Sequence, residues 1–264
     1  QIGVARGRVE FLSQKEKVIL TGDHGRYAGK TGLTRVYGHA LMRNIMEKDT
    51  LYLTADTLVS LHNKQDSIRR LFAYKNVQIY KSDLSGKCDS LGYDVRDSVI
   101  HFYQKPILWT QDSQSQADSI SLFLQNQTLK EMRLRGKSFV ISKDSVEHFN
   151  QIKGRKIWVY FGQESELEHV HVEGNGESVY HVMDDKKVTT GLNRVECSRM
   201  NLFFDDNKVK KITFITKPEA KFVPPKEWKE ELQFLDGFRW RLPEKITLDM
   251  ILKRVATSGP VKKP

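Results

Sequence analysis

Asp49-Thr-Leu-Tyr-Leu-Thr-Ala-Asp56 alternates apolar and polar side chains, with Leu51, Leu53 and Ala55 at every second position. Successive side chains of an extended chain point to opposite faces, so these three share one face of a half-buried strand. The same period returns at Val77 and Ile79, at Ile100 and Phe102, and at Ile120, Leu122 and Leu124. It continues at Phe139 and Ile141, Val170 and Val172, Met200, Leu202 and Phe204, then Ile212 and Phe214. Turn-forming residues punctuate the runs at Ser85-Gly86, Arg135-Gly136, Gly174-Asn175-Gly176 and Asp205-Asp206-Asn207. Helical spacing is scarce before residue 225, with 144–151 a short candidate. The fold class is therefore all-β, a stack of short strands.

A repeat underlies the alternation. Leu20-Thr-Gly-Asp-His24, Leu53-Thr-Ala-Asp-Thr57, Gly86-Lys-Cys-Asp-Ser90 and Ser115-Gln-Ala-Asp-Ser119 each place a small residue before Asp. The aspartates fall at 23, 56, 89 and 118, spaced by 33, 33 and 29 residues. Gly154-Arg155 and Val195-Glu-Cys-Ser-Arg199 extend the series in degenerate form. A second unit lies between the markers: Gly38-His-Ala-Leu-Met42, Ala73-Tyr-Lys-Asn-Val77, Arg135-Gly-Lys-Ser-Phe139 and Glu173-Gly-Asn-Gly-Glu177. Periods of this length mark stacked arrays, in which neighbours bury a face that no repeat buries alone. A row of aspartates reads as a set of turn formers, since a catalytic residue need occur only once.

The 264 residues suffice for one large domain or two small ones. No run approaches the roughly 18 apolar residues of a membrane-spanning helix. Aromatics at 10% argue against wholesale disorder. The net charge of +10 favours acidic partners: nucleic acid, anionic lipid or phosphorylated glycans. Lys253, Arg254, Lys262 and Lys263 supply part of it, and without them the body carries about +6. Two cysteines, Cys88 and Cys197, exclude a disulfide scaffold and a cysteine-based zinc cluster. Their comparable places in distant repeats predict two free, mostly buried thiols.

The ordered motifs carry a resemblance. The Leu-Thr-Ala-Asp type of marker, each followed by a strand, resembles the OstA-like / LptA family of lipopolysaccharide-transport proteins. In the second half Phe149-Asn-Gln-Ile-Lys-Gly-Arg155, Val170-His-Val-Glu-Gly-Asn-Gly176 and Met200-Asn-Leu-Phe-Phe204, ahead of Lys210-Lys-Ile212, resemble the Bacteroidetes-type OstA-like proteins. The likeness covers roughly residues 8–225. It implies an open, V-shaped antiparallel β-jellyroll with an apolar groove that binds lipid A acyl chains. It also implies a non-catalytic role in the periplasm, carrying lipopolysaccharide to the outer membrane. The implied partners are lipopolysaccharide and other transport components, met through end-to-end strand pairing, with homo-oligomers as a further expectation. A soluble bridging component is expected, as no barrel-length series of strands follows residue 225 and no transmembrane helix is read; no signal-peptide pattern is read in the chain.

The expected domains are 1–225, the jellyroll, and 226–264, a capping segment and basic tail. An acyl chain needs a dry slot of many aliphatic and aromatic side chains. The candidate lining is Leu51, Leu53, Ile79, Phe102, Leu122, Ile141, Val172, Leu202 and Phe214, one face of each strand. The bland alternative is the closed core of a β-sandwich, which shows the same alternation.

Rival chemistries are weaker. His169 and His171 share a strand face, with His181 beyond the Gly174–Gly176 stretch, the spacing of a zinc site. Val170 and Val172 take the inner face, which turns these histidines outward, so no metal and no cofactor is expected. The Gly22-Asp-His-Gly25 stretch lacks the Gly-Lys-Ser/Thr ending of a phosphate loop, and no nucleophile elbow occurs. A β-solenoid polysaccharide-cleaving enzyme would use paired acids such as Asp94 with Asp97, or Asp205 with Asp206. Both pairs sit where turns are expected, so no enzyme is assigned. A basic nucleic-acid- or polyanion-binding protein would use Arg133, Arg135, Lys137, Lys208, Lys210 and Lys211 beside Trp158 and Tyr160. Acidic residues interleave with these cations and dilute the field, so no nucleic acid is expected.

After Pro224-Pro225 the character changes. Trp228, Leu232 and Leu235 have helical spacing, Phe238 and Trp240 alternate with Arg239 and Arg241, and 246–255 reads as a short helix. These apolars cap the end of the stack or dock on a partner, and capping is preferred.

Overall fold

The computed structural model describes residues 2–14, 17–47, 49–63, 68–94, 96–110, 112–126, 128–163, 166–184, 186, 188–205 and 208–256. Asp206, Asn207, the side chain of Lys208, and Lys262 and Lys263 lie outside the described residues. The chain forms two compact units, 1–108 with 243–264, and 109–242.

The first unit is a run of antiparallel neighbours: β1 (Ile2–Ser13), β2 (Val18–Ala28), β3 (Leu33–Ile45), β4 (Thr50–Asn63), β5 (Ile68–Lys81), β6 (Leu84–Asp94) and β7 (Val99–Tyr103). Residues of β8 (Ile107–Trp109) follow. The second unit contains β9 (Ser113–Gln116), β10 (Ser119–Gln125), β11 (Thr128–Lys143), β12 (Phe149–Phe161), β13 (Leu167–Met183), β14 (Thr189–Asp205), β15 (Lys208–Ile215) and β16 (Glu219–Val223). Strands β10 to β15 pair in order. The second half of β11 pairs with β9, and the first half of β14 with β16.

The strands are longer than the sequence implies, and the difference has one cause. Gly136 lies inside the 16 residues of β11, and Gly174-Asn175 inside the 17 of β13. Neither is a turn between strands. Pairs of residues with left-handed backbone recur at Gly7-Arg8, Gly38-His39, Lys75-Asn76, Gln104-Lys105, Gly136-Lys137, Gly174-Asn175 and Thr216-Lys217. At each such pair within a strand the register slips by one residue, the signature of a bulge that bends the strand. Glycine and Asn adopt positive φ at low cost, which is why they gather here.

The aspartate markers sit opposite the bends, Asp23 and Asp56 on strands and Asp118 just ahead of β10. The Asp23 carboxylate meets His39 Nδ1 at 2.6 Å, and Asp56 accepts from Asn76 Nδ2 at 3.0 Å. The Asp118 N–H donates to the Gly136 carbonyl at 2.7 Å. Both repeating units of the sequence are therefore the two sides of one bulge, the small residue and Asp on one strand facing the left-handed pair on the next.

Each bend divides a strand into halves, and apolar residues form a ladder across each half. In the first unit Leu20, Met42, Leu53 and Ile79 are directly opposed from β2 to β5. Val36, Leu58, Ala73, Leu91 and Phe102 do the same in the other half from β3 to β7. In the second unit Leu122, Met132, Val159, Val170 and Leu202 form one row, and Leu134, Ile157, Val172, Met200 and Phe214 the next.

The segment after β16 behaves differently in the two units. The helical spacing read at 226–235 yields only one turn, α1 (Glu230–Gln233), and residues 228–242 cross the face of the second unit as a strap. Helix α2 (Leu248–Ala256) packs on β3, β4 and β5 of the first unit through buried Ile251. The Thr247 hydroxyl accepts from the Met250 N–H at its N-terminus, while Lys253 and Arg254 complement the negative end of the dipole at its C-terminus. Arg254 also pairs with Asp56 at 2.9 Å, and Lys87 with Glu244 at 2.5 Å.

Candidate functional site

The candidate lining residues separate by ladder. Leu53 and Ile79 share one ladder of the first unit, and Phe102 ends the other. Leu122 and Leu202 occupy one row of the second unit, Val172 and Phe214 its neighbour. Leu53, Ile79, Phe102, Leu122, Val172 and Leu202 are between 0 and 3% exposed, and Leu51 and Phe214 are half-buried. The two halves of a strand turn apolar residues toward the same side. A Cβ on Gly154, in one half of β12, would lie 2.6 Å from Cγ1 of Val172 in the inward row of the other half.

Ile141 stands apart. It is opposed to Gln151 on β12 and to Gln114 on β9, and Gln151 to Val179 on β13. This row faces the strap: Phe139, Ile141 and Val179 enclose Leu235, with Phe149, Phe238 and Trp240 around them. Residues that pattern reading did not single out complete the inward ladders, notably Met42, Leu58, Leu91, Met132 and Ile157, all buried. The signal that finds them is register: once a bulge slips the count by one, alternation restarts on the other parity.

The outward face carries polar and aromatic pairs. His169 and His171 both meet Asn201 Oδ1, at 3.2 and 2.7 Å. His169 stacks between Tyr160 and Phe203, at 5.4 and 4.7 Å. His181 lies in the other half of β13, buried, stacked on His148 at 4.6 Å and met edge-on by Trp228. Burial drives its pKa down to about 4, assisted by neighbouring His148 and opposed by Asp144. The three histidines are thus split between two sites.

Several basic residues are paired in place. Arg133 makes a two-pronged bond to Glu131 at 2.6 and 2.9 Å, and its guanidinium covers the Phe123 ring at 4.0 Å. Lys156 lies 3.5 Å from Glu173 and Lys210 3.1 Å from Asp205. Asp94 caps a turn, its Oδ1 accepting from the N–H groups of Arg96 and Asp97. The hydrogen bond from Arg70 holds the Asp94 carboxyl below the usual carboxylate range. Among the described residues no helix is long and apolar enough to cross a membrane, and no group of three His, Cys, Asp or Glu is placed to hold a metal.

The geometry therefore offers apolar ladders continuous across strands, and an outer face that carries polar, charged and aromatic pairs. Residues 21–128 match the family model described as the LptA/(LptD N-terminal domain) LPS transport protein, less than half of the chain. The stretch runs from β2 to the start of β11 and contains four of the aspartate markers. Among solved structures the chain is similar to LptH of Pseudomonas aeruginosa, described as the LptA-homologous periplasmic component of the lipopolysaccharide transport device. That likeness has a TM-score of 0.41 and 10% identity, and spans 53% of this chain and 93% of that one. No curated protein sequence matches. The fold is all-β, and residues 21–128 of the chain are similar to the LptA/(LptD N-terminal domain) family.

Proposed function

We propose that this LptA/OstA-like chain is a β-jellyroll that takes the acyl chains of lipopolysaccharide between its inward ladders and passes the lipid across the periplasm toward the outer membrane. It does so without catalysis. The observation that carries the reading is the unbroken apolar ladder from Leu20 through Met42 and Leu53 to Ile79, matched by Val36 through Phe102. Such a ladder has no single indispensable contact. At roughly 25 cal/mol per Å² of apolar area, several hundred Å² of buried chain contributes several kcal/mol.

The inward side chains are closed to water, so an acyl chain enters by parting the two halves at their bends. Bends built on left-handed pairs suit this, because strand halves joined by a bulge share few ladder bonds at the joint. The transport components that the chain meets pair with the edge strand β1. Ile2 and Val4 are 63 and 67% exposed there, on a strand paired to β2 alone among the described residues.

Binding of a fluorescent lipid A analogue, followed across salt concentrations, tests the reading. Acyl-chain burial predicts a shallow salt dependence, and Leu53→Asp weakens binding by placing a charge against the chains. A steep loss of binding with salt, or a Leu53→Asp variant that folds and binds like the parent, contradicts it.

A further inference from the structure

Two glutamines on the outer face of the second unit have no ordinary reason to be there. Gln114 and Gln151 are 0% exposed and stand in one row with Ile141 and Val179. A buried amide left unpaired is costly, so an occupant must satisfy both. The strap does so, and in the same way each time. Gln151 Nε2 donates to the Gln233 carbonyl at 2.8 Å, and its Oε1 accepts from the Leu235 N–H at 2.8 Å. Gln114 Nε2 donates to the Arg239 carbonyl at 2.8 Å, and its Oε1 accepts from the Arg241 N–H at 2.7 Å. In both cases one side-chain amide takes the carbonyl of residue i and the N–H of residue i+2.

That pattern is how a peptide group of a neighbouring strand would bind an extended segment. It reads main chain and is blind to side-chain identity. Arg194, the next polar member of the row beyond Val179, adds Nη1 bonds to the carbonyls of Glu231 and Phe234, at 3.1 and 3.2 Å. Side-chain selection is left to the apolar floor, which takes Leu235. Backbone bonds for affinity with spaced pockets for selection is the division of labour in strand-type peptide recognition.

We infer that the face bearing Gln114, Gln151 and Arg194 is a peptide-binding site that reads backbone, occupied by residues 228–242 as a displaceable resident ligand, and that the same segment of a second copy takes their place.

The second copy is the occupant because its segment reproduces every contact, including the Leu235 pocket and both glutamine grips, so exchange creates no new unpaired group. Exchange of an identical element is a low-cost route to association. The strap is also built to leave as a piece. It follows Pro224-Pro225, with Pro224 extended at ψ 156, and its bonds to the sheet's glutamines and arginine come from side chains, outside any strand ladder. The intramolecular strap competes at an effective concentration in the millimolar range, so the exchanged form appears only when that competitor is weakened or protein is concentrated.

The test uses the full chain with its own strap weakened by Leu235→Asp, and a fluorescent peptide spanning residues 226–242. The Leu235→Asp chain binds the peptide one to one, about tenfold or more tightly than the parent does. Adding Gln114→Leu and Gln151→Leu abolishes the gain. A Leu235→Asp chain that keeps its β-sheet circular dichroism yet ignores the peptide overturns the inference, as does binding indifferent to the glutamines. Should Leu235→Asp not fold, amide hydrogen exchange decides the matter in the intact strap. The Leu235 and Arg241 amides then exchange about tenfold or more faster in Gln114→Leu/Gln151→Leu than in the parent, with β12 and β13 unchanged. Equal rates at those two amides exclude backbone reading.

Discussion

Asp23 and His39 lie on adjacent strands, and the Asp23 carboxylate reaches His39 Nδ1 at 2.6 Å where β3 bends through two left-handed residues. The same pairing of an aspartate with a left-handed couple returns at Asp56 with Lys75-Asn76 and at Asp118 with Gly136-Lys137. The bends are thus the conserved geometry within the molecule, and the apolar ladders hang from them.

The bend at Gly136 is expected to be intolerant of a methyl group. Gly136 has φ +73, and an added Cβ would meet the Asp118 side chain, with Cβ and Cγ at 3.0 Å. Gly136→Ala is expected to lower stability by about 1–3 kcal/mol in urea titration. Gly3→Ala, where nothing lies within 4 Å, should change it by less than about 0.5 kcal/mol. Equal effects at the two sites would remove the special role of the bend.

Both cysteines are free. Burial pushes the Cys88 thiol up to about 12 and raises that of Cys197. Neither supplies thiolate at neutral pH, so Ellman's reagent should label the native protein slowly and find two thiols after unfolding. A gain of two hydrogens in mass on reduction would contradict the repeat alignment, which places the two cysteines in distant strands.

His181 predicts a pH dependence of definite sign. Its folded pKa of about 4 lies below the unfolded value near 6.5, so the unfolded chain takes up a proton first as pH falls. The stability tied to neutral His181 is complete above about pH 6.5 and is lost progressively down to about pH 4, up to about 3 kcal/mol. Asp144 and His148 face the same ring, and Trp228 reports on it by fluorescence. Urea midpoints between pH 7 and 4.5 should fall less steeply in His181→Phe than in the parent; parallel slopes would assign the dependence elsewhere.

The exposed edge makes a prediction about association. Val4→Lys puts a charge on β1 without touching a buried contact, since Val4 is exposed. Sedimentation at rising concentration should show self-association by the parent and less by the variant. Identical profiles, or a parent that stays monomeric throughout, would discard β1 as the joining edge.

Much of this architecture is legible in the residues. The alternation at Leu51, Leu53 and Ala55 marks a strand because a period of two has one physical reading there. The markers at Asp23, Asp56 and Asp118 proved to be turn-type aspartates, though the turn is a bulge within paired strands. Gly136 and Gly174 look like strand ends for that reason: glycine at positive φ serves a hairpin and a bulge equally. The parity slip that follows each bulge is invisible without register, and it is why Ile141 faces the strap while Val172 faces inward. The glutamine grip was likewise hidden, because Gln114 and Gln151 look like ordinary solvent-facing members of alternating strands until a distant segment covers them.

Site-specific photo-crosslinking to lipopolysaccharide tests the central claim most directly. A photoreactive residue placed at Leu53, Phe102, Leu122 or Leu202, all on inward ladders, should give lipid adducts. The same residue at His101 or His171, on the outward face, should give none, and Ile141 beneath the strap should behave as outward. Adducts of equal yield on both faces, or none at any inward position, would contradict a lipid slot and leave the ladders as a closed core.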